Sequence, residues 1–206
     1  MVAGLLFAAL AFFVFGQAGA TRNGGQSAAD AAALAAGQQS RDDLRDGLLS
    51  GAALDPDFLT RLFGGNEVGP EDHACLAASA YAADNDAMVD DCVTLGGGRW
   101  GFKVDVTTQS TVGKSVVPGT ESVRATATAT AVVEPRCNFA PSETPSSSAP
   151  PASGVPSQPP GGQKPPEPVS PGSLNCPGAG DITIEPEHLD LLPDMADLFT
   201  VRLVDN

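Results

Sequence analysis

The sequence predicts an α+β protein: an N-terminal transmembrane helix extended by an Ala-rich helix, then a small antiparallel sheet with a Pro-rich disordered insertion. Three observations carry this prediction. Residues 1–15 hold no polar side chain, and largely apolar sequence continues to Ala20. Residues 27–49 are dominated by alanine, the residue with the best helix propensity. Apolar and polar residues alternate over 101–108 and 122–133, the period of a half-buried strand. In chain order the expected parts are an anchor at 1–21, an extracytoplasmic α+β domain beginning at 22–134, a Pro-rich loop at 135–177, and the remainder of the domain at 178–206.

The anchor is expected at residues 2–20, before the first charge at Arg22. At 1.5 Å per residue, about 20 apolar residues cross a hydrocarbon core of roughly 30 Å. In lipid a single helix satisfies its own backbone groups. Phe12, Phe13 and Phe15 crowd one end, and the segment is apolar all round. Two other readings compete. Ala18-Gly19-Ala20 fits a small-x-small signal-peptidase site, which would release the body after Ala20, although no basic region precedes the apolar run. A buried core helix would need an apolar remainder to wrap it. The positive-inside rule asks for Lys or Arg on the cytoplasmic flank, so the true start is expected upstream of Met1.

Beyond the anchor, Ser27 with Asp30 and Ser40 with Asp43 have capping-box spacing, with Asp in place of the usual Glu or Gln. Leu34, Leu44 and Leu48 give partial helical spacing. An interruption is expected near Arg22–Gly25, a weak point at Gly37 and a stop at Gly51. The stretch FGQAGATRNGGQSAADAAALAAG, within residues 1–38, resembles the N-terminal segment of TadE/TadG-like proteins of Tad/Flp pilus assembly. The resemblance covers no other part of the chain. It implies a single hydrophobic helix anchoring an extracytoplasmic domain, as in minor pilins. It also implies membrane lipid and other pilus or secretion-assembly proteins as partners. That family carries a basic stretch and a Gly-Gln pair ahead of its hydrophobic run, and neither stands ahead of the apolar run here.

The formal net charge is -14, with 25 Asp+Glu against 11 Lys+Arg. Between Asp30 and Asp91 stand 13 acidic and three basic residues, so most of the excess lies there. A polyanion is repelled by nucleic acid and by anionic lipid, so no nucleic-acid partner is expected. The acidic surface reads first as solvated. A Ca²⁺ site at Asp84, Asp86, Asp90 and Asp91 fails EF-hand spacing, since Met88 stands where a third ligand belongs. Residues 71–88 read as a helix after Pro70, with Ala74, Cys75, Ala78, Tyr81 and Ala82 on one face. His73 and His188 are isolated and read as structural or solvent-facing.

The four cysteines, Cys75, Cys92, Cys137 and Cys176, suggest two disulfides in an exported domain. Four cysteines allow three connectivities. The sequential pairing Cys75–Cys92 and Cys137–Cys176 is favoured because it needs no interlacing, and its second bridge brackets the Pro-rich tract. Zinc is disfavoured, since there is no C-x-x-C and no nearby His pair.

Gly96-Gly97-Gly98 lacks the G-K-[ST] of a phosphate loop and reads as a turn into a strand. Phe102, Val104 and Val106 form the inner face of that strand. Val123, Ala125, Ala127, Ala129 and Ala131 form the inner face of the next, small enough to pack closely on a helix such as the Ala-rich one. Gly113 and Pro118-Gly119 mark turns between them. Residues 135–177 hold 13 of the 18 prolines, a composition that resists a packed core. Ile182 and Ile184 then alternate with polar residues, short helical turns break at Pro193, and TVRLV at 200–204 reads as a final strand. All these strands are expected in one sheet.

No Ser/His/Asp order, G-x-S-x-G, H-E-x-x-H or Cys/His pair occurs, so no catalytic, cofactor-binding or metal residue is assigned and no enzyme is expected. The expected function is that of a single-pass protein of the cell membrane, its body outside the cytoplasm. It would be a structural or assembly component of a Tad/Flp-type pilus or secretion system. The alternative is a secreted acidic binding module released after Ala20.

Overall fold

The computed structural model describes residues 2–66, 71–111, 121–142 and 169–205. Over residues 2–21 it describes the backbone and only some side chains. The expected turns at Gly113 and Pro118-Gly119 and the helix-flanking Pro70 lie outside the described residues.

One helix, α1 (Val2–Leu49), runs through both the expected anchor and the Ala-rich segment. Its 48 residues make it about 72 Å long. The interruption expected near Arg22–Gly25 and the weak point at Gly37 do not occur, because both glycines serve close packing. A Cβ at Gly25 would lie 3.4 Å from Thr108 Cγ2, and one at Gly37 would lie 2.7 Å from Val201 Cγ1. Nor do the Ser27 and Ser40 pairs cap helices. Both sit mid-helix, and Asp30 and Asp43 instead accept hydrogen bonds from Gln26 and Gln39 one turn earlier, at 2.8 and 2.6 Å. The helix ends ahead of Gly51, whose φ of 74° reverses the chain.

A short helix not anticipated from the sequence, α2 (Pro56–Phe63), follows. Asp55 caps it by accepting from the Phe58 amide at 2.8 Å, with Pro56 in the first turn where a missing N–H costs nothing. Helix α3 (Glu71–Asp84) is shorter than the expected 71–88. Asp86, at φ 54°, turns the chain into strand β1 (Ala87–Thr94), which was also unanticipated. Ala74, Ala78 and Ala82 are fully buried as expected, whereas Tyr81 is exposed.

Strands β2 (Gly101–Thr111) and β3 (Arg124–Pro135) take up the two alternating segments, except that Ser122 and Val123 precede β3 and Val123 is exposed rather than on the inner face. With β7 (Phe199–Val204) they form a four-stranded antiparallel sheet in the order β1-β2-β3-β7. The second half of α1 and the whole of α3 cover one face of it. That layer is built from small residues: Ala28, Ala29, Ala32, Ala33 and Ala36 of α1 and the three buried alanines of α3 meet Phe102, Val104, Val106, Ala129 and Ala131. Alanine on both sides lets helix and sheet backbones approach closely, as the inner face of β3 implied.

The C-terminal segments do not all join one sheet. Strands β4 (Asn138–Pro141), β5 (Gly172–Cys176) and β6 (Gly180–Thr183) form a separate antiparallel sheet. The expected disordered tract at 135–177 is therefore corrected at both ends, where pairing between 138–141 and 172–176 satisfies the backbone. Its centre, 143–168, lies outside the described residues. After a 3-10 turn at Leu189–Leu191 comes α4 (Met195–Leu198), on either side of Pro193, and then β7.

The bulky side chains gather in a second cluster between the two sheets and the C-terminal end of α1. Leu44 and Leu48 of α1 and Leu59, Leu62 and Phe63 of α2 pack there with Trp100, Val133, Leu174, Leu198 and Phe199. Phe199 is its hub, 5.1 Å from the Phe63 ring and 5.3 Å from Trp100. Trp100 is buried and its indole N–H donates to Ser40 Oγ at 2.9 Å, pinning the β1–β2 turn to α1.

Candidate functional site

The feature that sets this body apart from a simple α+β sandwich is how α1 leaves it. Every described side chain position from Val2 to Gly24 is exposed, and Gly25 is the first buried one. Val2, Leu5 and Leu6 are 72%, 73% and 62% exposed. From Gly25 the picture reverses, with six alanines of α1 buried by Ala36. At the described positions, therefore, the helix is bare before Gly25 and packs against the fold only in its second half. Among the described residues, no helix is long and apolar enough to cross a membrane. The side chains at Phe7, at 10–18 and at Ala20, which make up much of the apolar run, lie outside the described residues.

At the point of emergence the surface is polar. Gln26 donates to Asp30 and, at 3.3 Å, to the Thr128 carbonyl of β3, so the exit of the helix is tied to the sheet. The uncovered face of the sheet is a hydrogen-bonded polar array. Thr107 donates to Asp90 at 2.6 Å, Thr128 donates to Asp105 at 2.5 Å, and Lys103 lies 3.7 Å from Asp105. On the same sheet the Arg202 guanidinium grips the Glu134 carboxylate through two bonds, at 2.8 and 2.5 Å. Those hydrogen bonds, aided by the positive charge and opposed by slight burial, hold the Glu134 carboxyl below its ordinary range, and the same contacts raise Arg202.

The four cysteines pair as Cys75–Cys92 and Cys137–Cys176, with none free. The first bridge ties α3 to β1. The second closes the base of the small sheet, joining the residue before β4 to the last residue of β5. The four acidic residues weighed as Ca²⁺ ligands are distributed differently. Asp84 ends α3, Asp86 occupies the turn, Asp90 lies in a β-bulge of β1 and Asp91 follows it. Among the described residues no group of three or more His, Cys, Asp or Glu side chains converges as a metal site requires. His73 is exposed, with Nδ1 3.4 Å from Asp43 Oδ2, a contact between α3 and α1. His188 is also exposed, beside the 3-10 turn.

Two features of this structure were not legible in the sequence. The Ser40–Trp100 bond links residues 60 apart with no local signal. The end of the body around Leu189–Pro193, near where α1 stops, carries cavities that no motif announces. No family model, curated protein or solved structure matches this chain.

Proposed function

We propose that the chain is a single-pass envelope protein and a structural or assembly component of a Tad/Flp-type pilus or secretion system, as its resemblance to TadE/TadG-like minor pilins implies. Residues 2–20 are its membrane anchor, and the body lies outside the cytoplasm. The observation that carries this reading is the unbroken α1, half packed and half projecting with its described apolar side chains bare. A Leu or Val side chain gains roughly 1.5–3 kcal/mol on leaving water, so an apolar helix standing clear of its own fold needs another apolar phase. The segment's length of about 28 Å suits a hydrocarbon core. Two disulfides with no free thiol suit an oxidising compartment. The acidic, hydrogen-bonded body suits water, and the chain works by assembling with other pilus or secretion proteins rather than by catalysing a reaction.

Deleting the gene and scoring pilus or secretion assembly tests the role directly. Loss of assembly that is restored by the full chain, and not by a chain lacking residues 2–20, is the expected outcome. Normal assembly in the deletion strain would refute it.

One observation favours the secreted alternative enough to keep it. Among the described positions burial begins at Gly25, so cleavage after Ala20 would leave every described buried residue of the body in place. N-terminal sequencing of the mature protein separates the two. A start at Thr21 supports the secreted module, and retention of Val2 to Ala20 supports the anchor.

A further inference from the structure

Three adjoining cavities surround the segment Leu189–Pro193, at the end of the body where α1 terminates. The one between α1 and α4, of about 180 Å³, is lined by Leu48 and Leu49 of α1 and by Met195 and Leu198, with Asp190, Asp194 and Arg45 as its charged residues. Leu192 also lines one neighbouring cavity and Pro193 the other, so these two residues are walls between separate depressions. Leu49 and Leu191 are 41% and 70% exposed beside them. A depression with apolar walls and charged groups beside it has the shape and chemistry to receive a partner's apolar side chain.

Size and charge select the occupant. A volume of 180 Å³ is below the roughly 300 Å³ at which small-molecule sites begin, yet above the about 150 Å³ that accommodates a benzene ring. It fits one large apolar side chain. From Asp181 to Asp197 there are six carboxylate residues and no Lys or Arg. The cations lining these cavities are Arg45 and Arg136. The surroundings are therefore net acidic and favour a basic segment. A second copy of this chain, at a net charge of -14, is repelled on approach.

We propose that this end of the body docks a partner protein through a segment presenting one large apolar side chain, Phe or Leu, between Lys or Arg residues. The side chain enters the cavity between α1 and α4, and the cationic flanks pair with Asp190, Asp194 and their neighbours. The site lies about 36 Å along α1 from Gly25 and does not depend on the membrane reading.

The chain contains only three methionines, and they report on different places: Met195 lines the cavity, while Met88 is exposed on strand β1. The test uses the full chain carrying ¹³C-labelled methionine methyls, in phosphatidylcholine discs, titrated with a short synthetic peptide of one Phe between paired Lys residues. The expected result is a saturable shift at Met195 with Met88 unmoved. Affinity should fall about tenfold or more when Phe is replaced by Ala, when the Lys residues are replaced by Glu, or when the protein carries Leu49→Asn. Asp190→Asn with Asp194→Asn should weaken binding at about 0.1 M salt and matter little at about 1 M, where the screening length falls to about 3 Å. These three side chains are exposed, so the variants keep the fold. No shift at Met195, equal shifts at Met88, or undiminished binding of the Ala peptide would overturn the proposal. So would a Met195 shift that grows with protein concentration alone, since it would assign the site to a second copy.

Discussion

Gly37 is where α1 presses hardest on the sheet, and replacing it tests that packing. A Cβ there would lie 2.7 Å from Val201 Cγ1 and 3.5 Å from Val133 Cγ2. The second distance is ordinary contact, and the first demands a shift of about 1 Å to reach the carbon–carbon optimum. Val201 is β-branched and stiff at χ1, and it belongs to a strand hydrogen-bonded to β3, so it does not yield easily. Overpacking of this kind costs about 1–3 kcal/mol. Alanine is also the better helix residue by about 1 kcal/mol. The two effects oppose, and Gly37→Ala should destabilise the protein by about 1 kcal/mol net. Val201→Ala removes the obstructing carbons. In that background Gly37→Ala should stabilise by up to about 1 kcal/mol, which makes the coupling between the sites about 2 kcal/mol. Urea unfolding of the oxidised protein in one detergent, followed by circular dichroism and Trp100 emission, measures all four corners of the cycle. Equal stabilisation by Gly37→Ala in both backgrounds would show that α1 does not lie against β7, and the reasoning would fail.

Three further outcomes follow from the same contacts. Ser40→Ala leaves the buried Trp100 indole N–H without its acceptor, which should cost about 1–3 kcal/mol in urea unfolding and perturb the emission of the chain's single Trp. The two disulfides span 17 and 39 residues, so replacing Cys75 and Cys92 together by Ala should cost about 3 kcal/mol, and the Cys137–Cys176 pair about 4 kcal/mol, on the chain-entropy relation. Comparable denaturation midpoints for the variants and the parent would contradict this. Glu134 has its folded pKa lowered by Arg202, so its stabilising effect is present above the unfolded carboxylate range and disappears as pH falls through the lowered folded value. Glu134→Gln should therefore cause a small loss of stability at neutral pH and none in strong acid. A loss that grew on acidification would reverse the assigned sign.

How much of this was legible can be traced residue by residue. Alternation over 101–108 and 122–133 located β2 and β3, because strands covered on one face carry the period in their side chains. The alanine face of β3 also pointed to its true partner, the Ala-rich helix. Strand β1 escaped because Asp90 and Asp91 disguise its alternation and a bulge between Val89 and Asp91 breaks the register. Gly25 and Gly37 read as breaks because propensity counts only the local cost, about 1 kcal/mol each, and not the close approach to β2, β3 and β7 that offsets it. The small sheet was hidden because the proline content of 135–177 was read across the whole tract, including the short paired runs at 138–141 and 172–176. Helix α2 had a readable start in Asp55-Pro56, yet its partners Phe199 and Leu174 are remote in sequence. The cysteine pairing was legible from order alone, whereas the cavities near Pro193 arise from segments about 145 residues apart and leave no local trace.

The claim at the centre of this account is that the projecting half of α1 is a membrane anchor and the body faces outward. Fractionation of expressing cells, followed by protease treatment of intact spheroplasts, tests it most directly. The account predicts that the full chain stays with the membrane after alkaline extraction, that a chain lacking residues 2–20 does not, and that external protease degrades the body. A body recovered from the cytosol, or one protected from protease until the membrane is opened, would contradict it.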